Sequence, residues 1–71
     1  MDTMKIFVER LNDTLQERGF SQRELARQTS IPLGSVNRYC NGENEPTIGA
    51  LAKICKALDE SADYLIGLKD D

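Results

Sequence analysis

Residues 21–42, SQRELARQTSIPLGSVNRYCNG, are predicted to form two short helices joined by a tight turn. Ser21 and Glu24 match a capping box, in which the Ser21 hydroxyl accepts from the Glu24 amide and the Glu24 side chain reaches back to Ser21. Pro32 disfavours helical dihedral angles at the residue before it but suits the start of a helix. Gly42 is placed to end the second helix in a left-handed conformation. Two helices this short bury too little surface to be stable alone, so they must pack against a small bundle.

Three further helices are predicted outside this pair. Apolar residues recur at spacings of three and four, and no segment alternates with period two over the length of a strand. The predicted limits are Asp2 or Thr3 to Gly19 for the first helix, about 22–29 and 33–41 for the pair, and starts capped by Thr47 and Ser61 for the last two. We therefore expect an all-α fold, a compact five-helix bundle with short connections, as one domain over residues 1–71.

The same spacing predicts which side chains face the core. These are Met4, Phe7, Val8, Leu11 and Leu15 in the first helix; Leu25, Ala26, Ile31, Val36 and Tyr39 in the pair; Ile48, Leu51, Ala52, Ile54, Cys55 and Leu58 in the fourth helix; and Tyr64, Leu65 and Leu68 at the end. We expect these stripes to form the core and to carry no function of their own.

The composition excludes most kinds of chemistry. The chain has no histidine and only two cysteines, Cys40 and Cys55, which excludes a zinc cluster and a CxxC redox motif. The cysteines could be two small residues or one disulfide, and reduced thiols are expected because nothing indicates secretion. There is no phosphate-binding glycine loop or nucleophile elbow, and the body is too small to enclose a substrate pocket. We expect no enzyme activity, no cofactor and no metal.

The location in the cell is also expected from composition. Residues 1–10 lack the apolar run of a signal peptide, and no apolar stretch approaches transmembrane length. The protein is expected to be soluble and cytoplasmic, without a membrane partner.

Positive charge is concentrated on the predicted helix pair, although the chain has a net charge of −3. Residues 18–38 carry four arginines against Glu24 alone and have a net charge of +3. Residues 1–17 have a net charge of −2, and residues 39–71 have a net charge of −4. A short basic segment in an otherwise acidic protein attracts nucleic acid less strongly than a domain that is basic throughout. The basic segment of this chain, which we call the basic island, nevertheless coincides with the predicted helix pair.

Short sequence motifs occur in this chain in an order that resembles a known protein family. Its landmarks are Arg10-Leu11, Gly19-Phe20-Ser21-Gln22, Glu24-Leu25-Ala26, Ile31-Pro32, Ser35-Val36, Arg38-Tyr39, Asn41-Gly42, Glu45-Pro46-Thr47, Leu51, Lys53-Ile54, Lys56-Ala57-Leu58, Ser61, Asp63-Tyr64-Leu65 and Gly67. In this order the chain resembles the phage-repressor and Cro type of helix-turn-helix, also called the Xre family, over about residues 6–68. The resemblance implies a lambda-repressor-like fold with its helix-turn-helix at about 21–41, and a transcriptional regulator, a repressor, that binds operator DNA.

The resemblance also implies which residues contact double-stranded DNA. The recognition helix, about residues 33–41, would enter the major groove of an operator with two related half-sites. A weak homodimer is expected through the C-terminal helix, near Ile66 and Leu68. The positions that match DNA-contacting positions of the family are Arg10, Ser21, Gln22, Arg23, Leu33, Gly34, Asn37, Arg38 and Asn41.

The chemistry of these side chains separates their expected roles. Gln22, at the positive end of a helix, would contact a phosphate. Asn37 can pair with adenine and Arg38 with guanine through two hydrogen bonds each. Leu33 could touch only a thymine methyl group, and Gly34 has no side chain to recognise a base.

Several positions depart from the family pattern. Ser30 stands where the family often has glycine, so the turn is expected to require a left-handed serine. Cys40 replaces a frequent glutamate, and Leu33 and Gly34 offer few groups that can recognise a base. Glu43 and Glu45 lie in a loop where many relatives carry basic residues, and here they would repel phosphates. The acidic loop and the sparse recognition helix favour an alternative function, a protein-interaction module such as an antitoxin or anti-repressor, whereas the arginines of residues 18–38 favour DNA.

Overall fold

The computed structural model describes residues 1–70 of the chain, and five α-helices account for most of them. The helices are α1 (Thr3–Arg18), α2 (Gln22–Thr29), α3 (Leu33–Asn41), α4 (Ile48–Leu58) and α5 (Ala62–Leu65). No strand occurs within residues 1–70. The predicted all-α fold and the predicted limits of the helices are confirmed.

Local side-chain caps fix the starts of four helices. The side chain of Asp2 accepts a hydrogen bond from the Lys5 amide at the start of α1. The hydroxyls of Ser21, Thr47 and Ser61 do the same for the third residue of α2, α4 and α5. Because each cap joins residues only three positions apart, the sequence predicted all of these starts.

One half of the predicted capping box of α2 is wrong. The Ser21 hydroxyl accepts from the Glu24 amide at 3.0 Å, as expected. The Glu24 carboxylate, however, accepts from the side chains of Arg27 and Gln28 instead of reaching back to Ser21. A guanidinium one turn along the helix offers a charged, two-pronged donor, which is a stronger partner than one backbone amide.

The turn between α2 and α3 contains a left-handed serine. Ser30 has φ +60°, the conformation that the departure from glycine predicted. Just before it, the Thr29 hydroxyl donates to the Leu25 carbonyl at 2.7 Å and accepts from the Ile31 amide at 3.3 Å. These bonds satisfy polar groups in the buried part of the turn, which offsets the strain of a positive φ at a residue with a Cβ.

The core forms where the helices converge. Its fully buried side chains are Phe7, Leu11, Leu25, Val36, Ile54, Leu58 and Leu65. Helix α1 packs against α3, α4 and α5, and α2 packs against α3 and α4. The helix pair is therefore held on two sides by the rest of the bundle.

The predicted core included three residues that the structure places in solvent. Ile48 is 88% exposed, because the buried line of α4 runs through Ala50, Ile54 and Leu58, on the opposite side of the helix. Ala52, also predicted to be buried, is exposed for the same reason. Leu68 is 65% exposed because it follows the end of α5 and the left-handed Gly67.

Two polar side chains of α1 tie the bundle together over long sequence distances. The Asn12 amide donates to the carbonyls of Val8, at 2.8 Å, and Cys40, at 3.0 Å. The Arg18 guanidinium donates to the carbonyl of Leu58, at 2.6 Å, and so caps the end of α4.

None of the helices within residues 1–70 has the length and apolar composition needed to cross a membrane.

Candidate nucleic-acid interface

Helix α3 has one buried side and one side open to solvent. Its buried residues are Val36, Tyr39 and Cys40, which join the core. Its exposed residues are Leu33, Gly34, Asn37, Arg38 and Asn41. The exposed set consists of the four positions predicted to face a DNA groove and of Asn41, which is predicted to contact the DNA backbone, and Leu33 keeps 37% of its surface in solvent.

A chain of side-chain amides connects α2 to the exposed side of α3. The Asn37 NH₂ group donates to the Gln22 side-chain oxygen at 3.2 Å. The Asn41 NH₂ group donates to the Asn37 oxygen at 3.2 Å. Within residues 1–70 the NH₂ group of Gln22 makes no hydrogen bond, so it can donate outward. Three of the predicted DNA-contacting residues therefore form one connected polar surface, which we call the amide chain.

The N-terminus of α2 adds backbone donors next to the amide chain. The first amides of an α-helix have no carbonyl partner within the helix. At α2 the Ser21 hydroxyl accepts from the third of these, the Glu24 amide, and the amides of Gln22 and Arg23 precede it. Such a helix end carries partial positive charge and suits a phosphate.

The guanidinium of Arg38 lies over the start of its own helix. A Cβ placed on Gly34 would be 3.6 Å from the Arg38 Nη1 atom. Gly34 and Arg38 are four residues apart and so share one side of α3. Gly34, which cannot recognise a base, thus leaves open space beside a side chain that can.

Of the four arginines in the basic island, two form ion pairs with carboxylates of residues 1–70 and two do not. Arg18 forms an ion pair with Glu60 at 3.4 Å, and Arg27 forms one with Glu24. Within residues 1–70, Arg23 and Arg38 make no ion pair. The net charge of residues 18–38 therefore includes Arg18, which donates to a carbonyl at the end of α4. It also includes Arg27, whose charge is balanced by Glu24.

The carboxylate of Glu24 is held in its charged form. Hydrogen bonds from Arg27 and then Gln28 lower the pKa of Glu24 from 4.5 to about 2. The same contact raises the pKa of Arg27. Glu24 and Arg27 are therefore both ionised at neutral pH, and together they add no net charge to the exposed side of α2.

Arg10 is placed apart from the amide chain. Its Nη1 atom donates to the carbonyls of Tyr64 and Lys69, each at 2.6 Å, and its guanidinium lies 4.5 Å from the centre of the Tyr64 ring. Its Nη2 atom lies 3.7 Å from a carboxylate oxygen of Asp70. The side chain is only 22% exposed. Arg10 thus joins α1 to the C-terminal residues, while its predicted contact with DNA stays a prediction.

Sequence reasoning missed the role of Asn12. Its hydrogen bond to the Cys40 carbonyl joins α1 to the last turn of α3, which carries Asn41. Asn12 is therefore a positioning residue for the end of the recognition helix. No local signal in the sequence could have indicated this, because the two partners are 28 residues apart.

The loop after α3 brings negative charge close to the same surface. Glu43 and Glu45 are both exposed and follow directly on the end of the helix at Gly42. The Glu43 amide donates to the Arg38 carbonyl at 2.9 Å, which fixes the start of the loop against the last turn of α3.

The two cysteines are free thiols, as expected. Burial raises the pKa of both Cys40 and Cys55, so neither has the character of a reactive thiolate. Within residues 1–70 no group of three or more cysteine, aspartate or glutamate side chains is arranged to hold a metal ion.

Comparison with known proteins identifies one family. A family model described as helix-turn-helix matches residues 11–65. The matched span contains α2, α3, α4 and α5 completely and begins at the residue that follows Arg10. No curated protein and no solved structure matches the chain.

Proposed function

The chain belongs to the Cro/C1-type helix-turn-helix family, also called Xre, and from this membership we propose that it binds operator DNA sequence-specifically through α3. The family is one of DNA-binding transcription regulators. In our proposal, α3 enters the major groove, which is wide enough to admit an α-helix. Regulation is by repression, since a protein that occupies an operator blocks access to it. In this proposal the protein acts in the cytoplasm, where it has access to its operator DNA.

The observation that carries the proposal is the amide chain. Gln22, Asn37 and Asn41 lie on one exposed surface and connect the start of α2 to α3. A phosphate that accepts hydrogen bonds from the free NH₂ group of Gln22 and from the first amides of α2 would fix the position of α3 in the groove. Asn37, oriented by its two neighbours, then faces the base edges.

Five of the remaining predicted contacts have a specific part in the proposal. Gly34 has no side chain to recognise a base, and Arg10 keeps the backbone contact that the family resemblance implies. Arg38 reads guanine by two hydrogen bonds, and Leu33 touches a thymine methyl group. Arg23 and Ser21 contact the backbone beside Gln22, and Asn41 contacts it at the other end of α3. Phosphate contacts position the protein, whereas base contacts give specificity.

We propose that the protein binds two related half-sites as a weak homodimer. One recognition helix spans only a few base pairs, so specificity needs a second half-site about one helical turn away. Leu68, which follows α5, and Ile48, at the start of α4, expose apolar surface. Ile48 also lines an apolar groove of about 420 Å³, together with Met4, Leu51 and Ile66. Contact through this groove would bury Ile48 and the apolar residues beside it.

The test is a selection of bound duplexes from a random pool, followed by titration of the selected duplex at several salt concentrations. Three to five engaged phosphates per subunit predict a slope of about −3 to −5 for log affinity against log salt. Arg38→Ala should cost about 1–3 kcal/mol on the selected site and flatten discrimination at one base pair. Gln22→Ala should weaken all duplexes alike.

Arg27→Ala is the matched control for Arg38→Ala. It removes an arginine that is paired with Glu24, so it should leave discrimination among sequences unchanged. Absence of binding to any duplex by micromolar protein at about 50 mM salt would contradict the proposed function. Sedimentation of a monomer on a single half-site would contradict the homodimer.

The alternative function is a protein-interaction module, favoured by the acidic loop. Glu43 and Glu45 lie within reach of the phosphates in our proposal, and charges about 8 Å apart or closer interact at physiological salt. Replacing both by lysine should tighten binding to all duplexes and steepen the salt slope by about 1–2. An unchanged affinity and slope would place the loop away from DNA.

A further inference from the structure

A second charged surface lies between α2 and α4. A pocket of about 310 Å³ is lined there by Gln28, Thr29, Lys53, Lys56 and Ala57, and we call it the lysine pocket. No acidic residue lines it. Its two lysines are exposed, and within residues 1–70 neither makes an ion pair. Two ammonium groups without an ion-pair partner therefore lie together on a chain of net charge −3.

The other polar side chains of the pocket make hydrogen bonds inside the protein. The Thr29 hydroxyl bonds to the Leu25 carbonyl and the Ile31 amide. The Gln28 NH₂ group donates to Glu24 at 2.8 Å. The charged donors available to a ligand are the ammonium groups of Lys53 and Lys56, which lie on one side of α4 at a spacing of three. The Gln28 NH₂ group keeps one further N–H.

The lysine pocket is on a different side of the molecule from the amide chain. Helix α2 packs against both α3 and α4, whereas α3 and α4 make little contact with each other. The pocket lies where α2 meets α4, and the amide chain lies where the start of α2 meets α3. Helix α2 therefore separates the two surfaces, and a ligand bound at one leaves the other open.

We propose that the lysine pocket binds an acidic segment of a partner protein, and that it does so while α3 is free to bind DNA. Two ammonium groups a helical turn apart fit two neighbouring carboxylates. The aliphatic stems of the lysines and the methyl group of Ala57 supply apolar contact beside the charges. Complementary charge of this kind selects the partner and accelerates encounter.

The probe is a peptide with two adjacent glutamates between leucines, titrated into the ¹⁵N-labelled full chain. The expected result is that the backbone amides of residues 28, 29, 53, 56 and 57 shift most, and that they shift equally with and without a bound duplex. A peptide with glutamines in place of the glutamates should cause no shift. Shifts centred on α3 instead would overturn the proposal.

Two double variants with the same change in net charge test the pocket itself. Lys53→Gln/Lys56→Gln should lower peptide affinity about fivefold or more, because it removes both charged contacts. Lys5→Gln/Lys69→Gln, which removes two lysines outside the pocket, should lower it less than about twofold. Equal losses would mean general attraction to positive charge and would overturn the proposal.

Two other outcomes also overturn it. If Lys53→Gln/Lys56→Gln reduces the salt slope for duplex binding by about 2, the lysines contact DNA phosphates instead of a protein. If that variant lowers the thermal midpoint and the unaltered chain shows no peptide shifts, the lysines only stabilise the carbonyl end of α2. The titration of the free chain decides the proposal even if no duplex binds.

Discussion

The side-chain amide of Asn37 donates a hydrogen bond to the side-chain oxygen of Gln22, and the two atoms are 3.2 Å apart. This contact joins the first residue of α2 to the middle of α3, across the turn between them. A residue suited to a phosphate is thereby linked to a residue suited to a base, so the two predicted contacts should not act independently.

We expect the DNA-binding costs of Gln22→Ala and Asn37→Ala to be non-additive. Either substitution already removes their hydrogen bond, so the double variant should lose about 0.5–1.5 kcal/mol less than the two single losses together. Fluorescence anisotropy with a labelled duplex measures the DNA affinities of the unaltered chain, the two single variants and the double variant. Arg23→Ala combined with Asn37→Ala is the control and should be additive within about 0.5 kcal/mol. An additive result for Gln22 and Asn37 would contradict coupled recognition.

Gly34→Ala should stabilise the fold and preserve discrimination by Arg38. Alanine is favoured over glycine in helices by up to about 1 kcal/mol, and the new Cβ would lie at ordinary contact distance, 3.6 Å, from Arg38 Nη1. Urea unfolding and base-substituted duplexes measure the two effects. Gly49→Ala, at the same second position of α4, is the matched control for stability. Loss of discrimination in Gly34→Ala alone would mean that Arg38 needs the empty space.

Arg10→Ala should lower stability, and any loss of its predicted contact with the DNA backbone should appear separately as weaker DNA affinity. The substitution removes hydrogen bonds to the carbonyls of Tyr64 and Lys69, and a charged donor of this kind is worth about 1.5–3 kcal/mol. Arg10→Lys should rescue only part of the loss, because lysine lacks the planar fork. Urea unfolding and duplex titration separate the two effects. A variant of normal stability with weakened DNA binding would instead support the contact that the family resemblance implies.

Thr14→Val should raise the free energy of unfolding by about 1 kcal/mol. The Thr14 hydroxyl is completely buried and has no hydrogen-bond partner, whereas valine has nearly the same shape and no polar atom to satisfy. Thr29→Val is the contrasting variant, since that hydroxyl makes hydrogen bonds at 2.7 Å and 3.3 Å. It should be destabilised by about 1–2 kcal/mol. Equal effects in urea unfolding would contradict this distinction.

The titration of Glu24 should make stability depend on pH below about 4.5. The pKa of Glu24 in the folded state, about 2, is lower than its ordinary value of 4.5. The stabilisation is therefore fully present above pH 4.5 and is lost as the pH falls towards 2. NMR titration of the carboxyl carbon should give the low pKa, and Arg27→Ala should raise it towards 4.5. The thermal midpoint of Glu24→Gln should fall less than that of the unaltered chain over this range.

The sequence by itself determined where the helices begin and which of them form the recognition pair. Ser21, Thr47 and Ser61 cap their helices through hydrogen bonds to residues three positions away, so the information is local. The left-handed Ser30 followed from the family resemblance, because Ser30 stands where the family often has glycine. The resemblance also gave the exposed set of α3, and the spacing of apolar residues gave Val36 and Tyr39 on its buried side.

Only the tertiary structure decided which side of α4 is buried and what each arginine contacts. On α4 apolar residues occur on both sides, and packing against α1 and α2 selected Ile54 over Ile48. Arg10 and Arg18 donate to carbonyls that are 54 and 40 residues away. Those carbonyls come within reach only after the bundle has closed, so counting charges along residues 18–38 could not separate arginines that hold the fold from those open to a ligand.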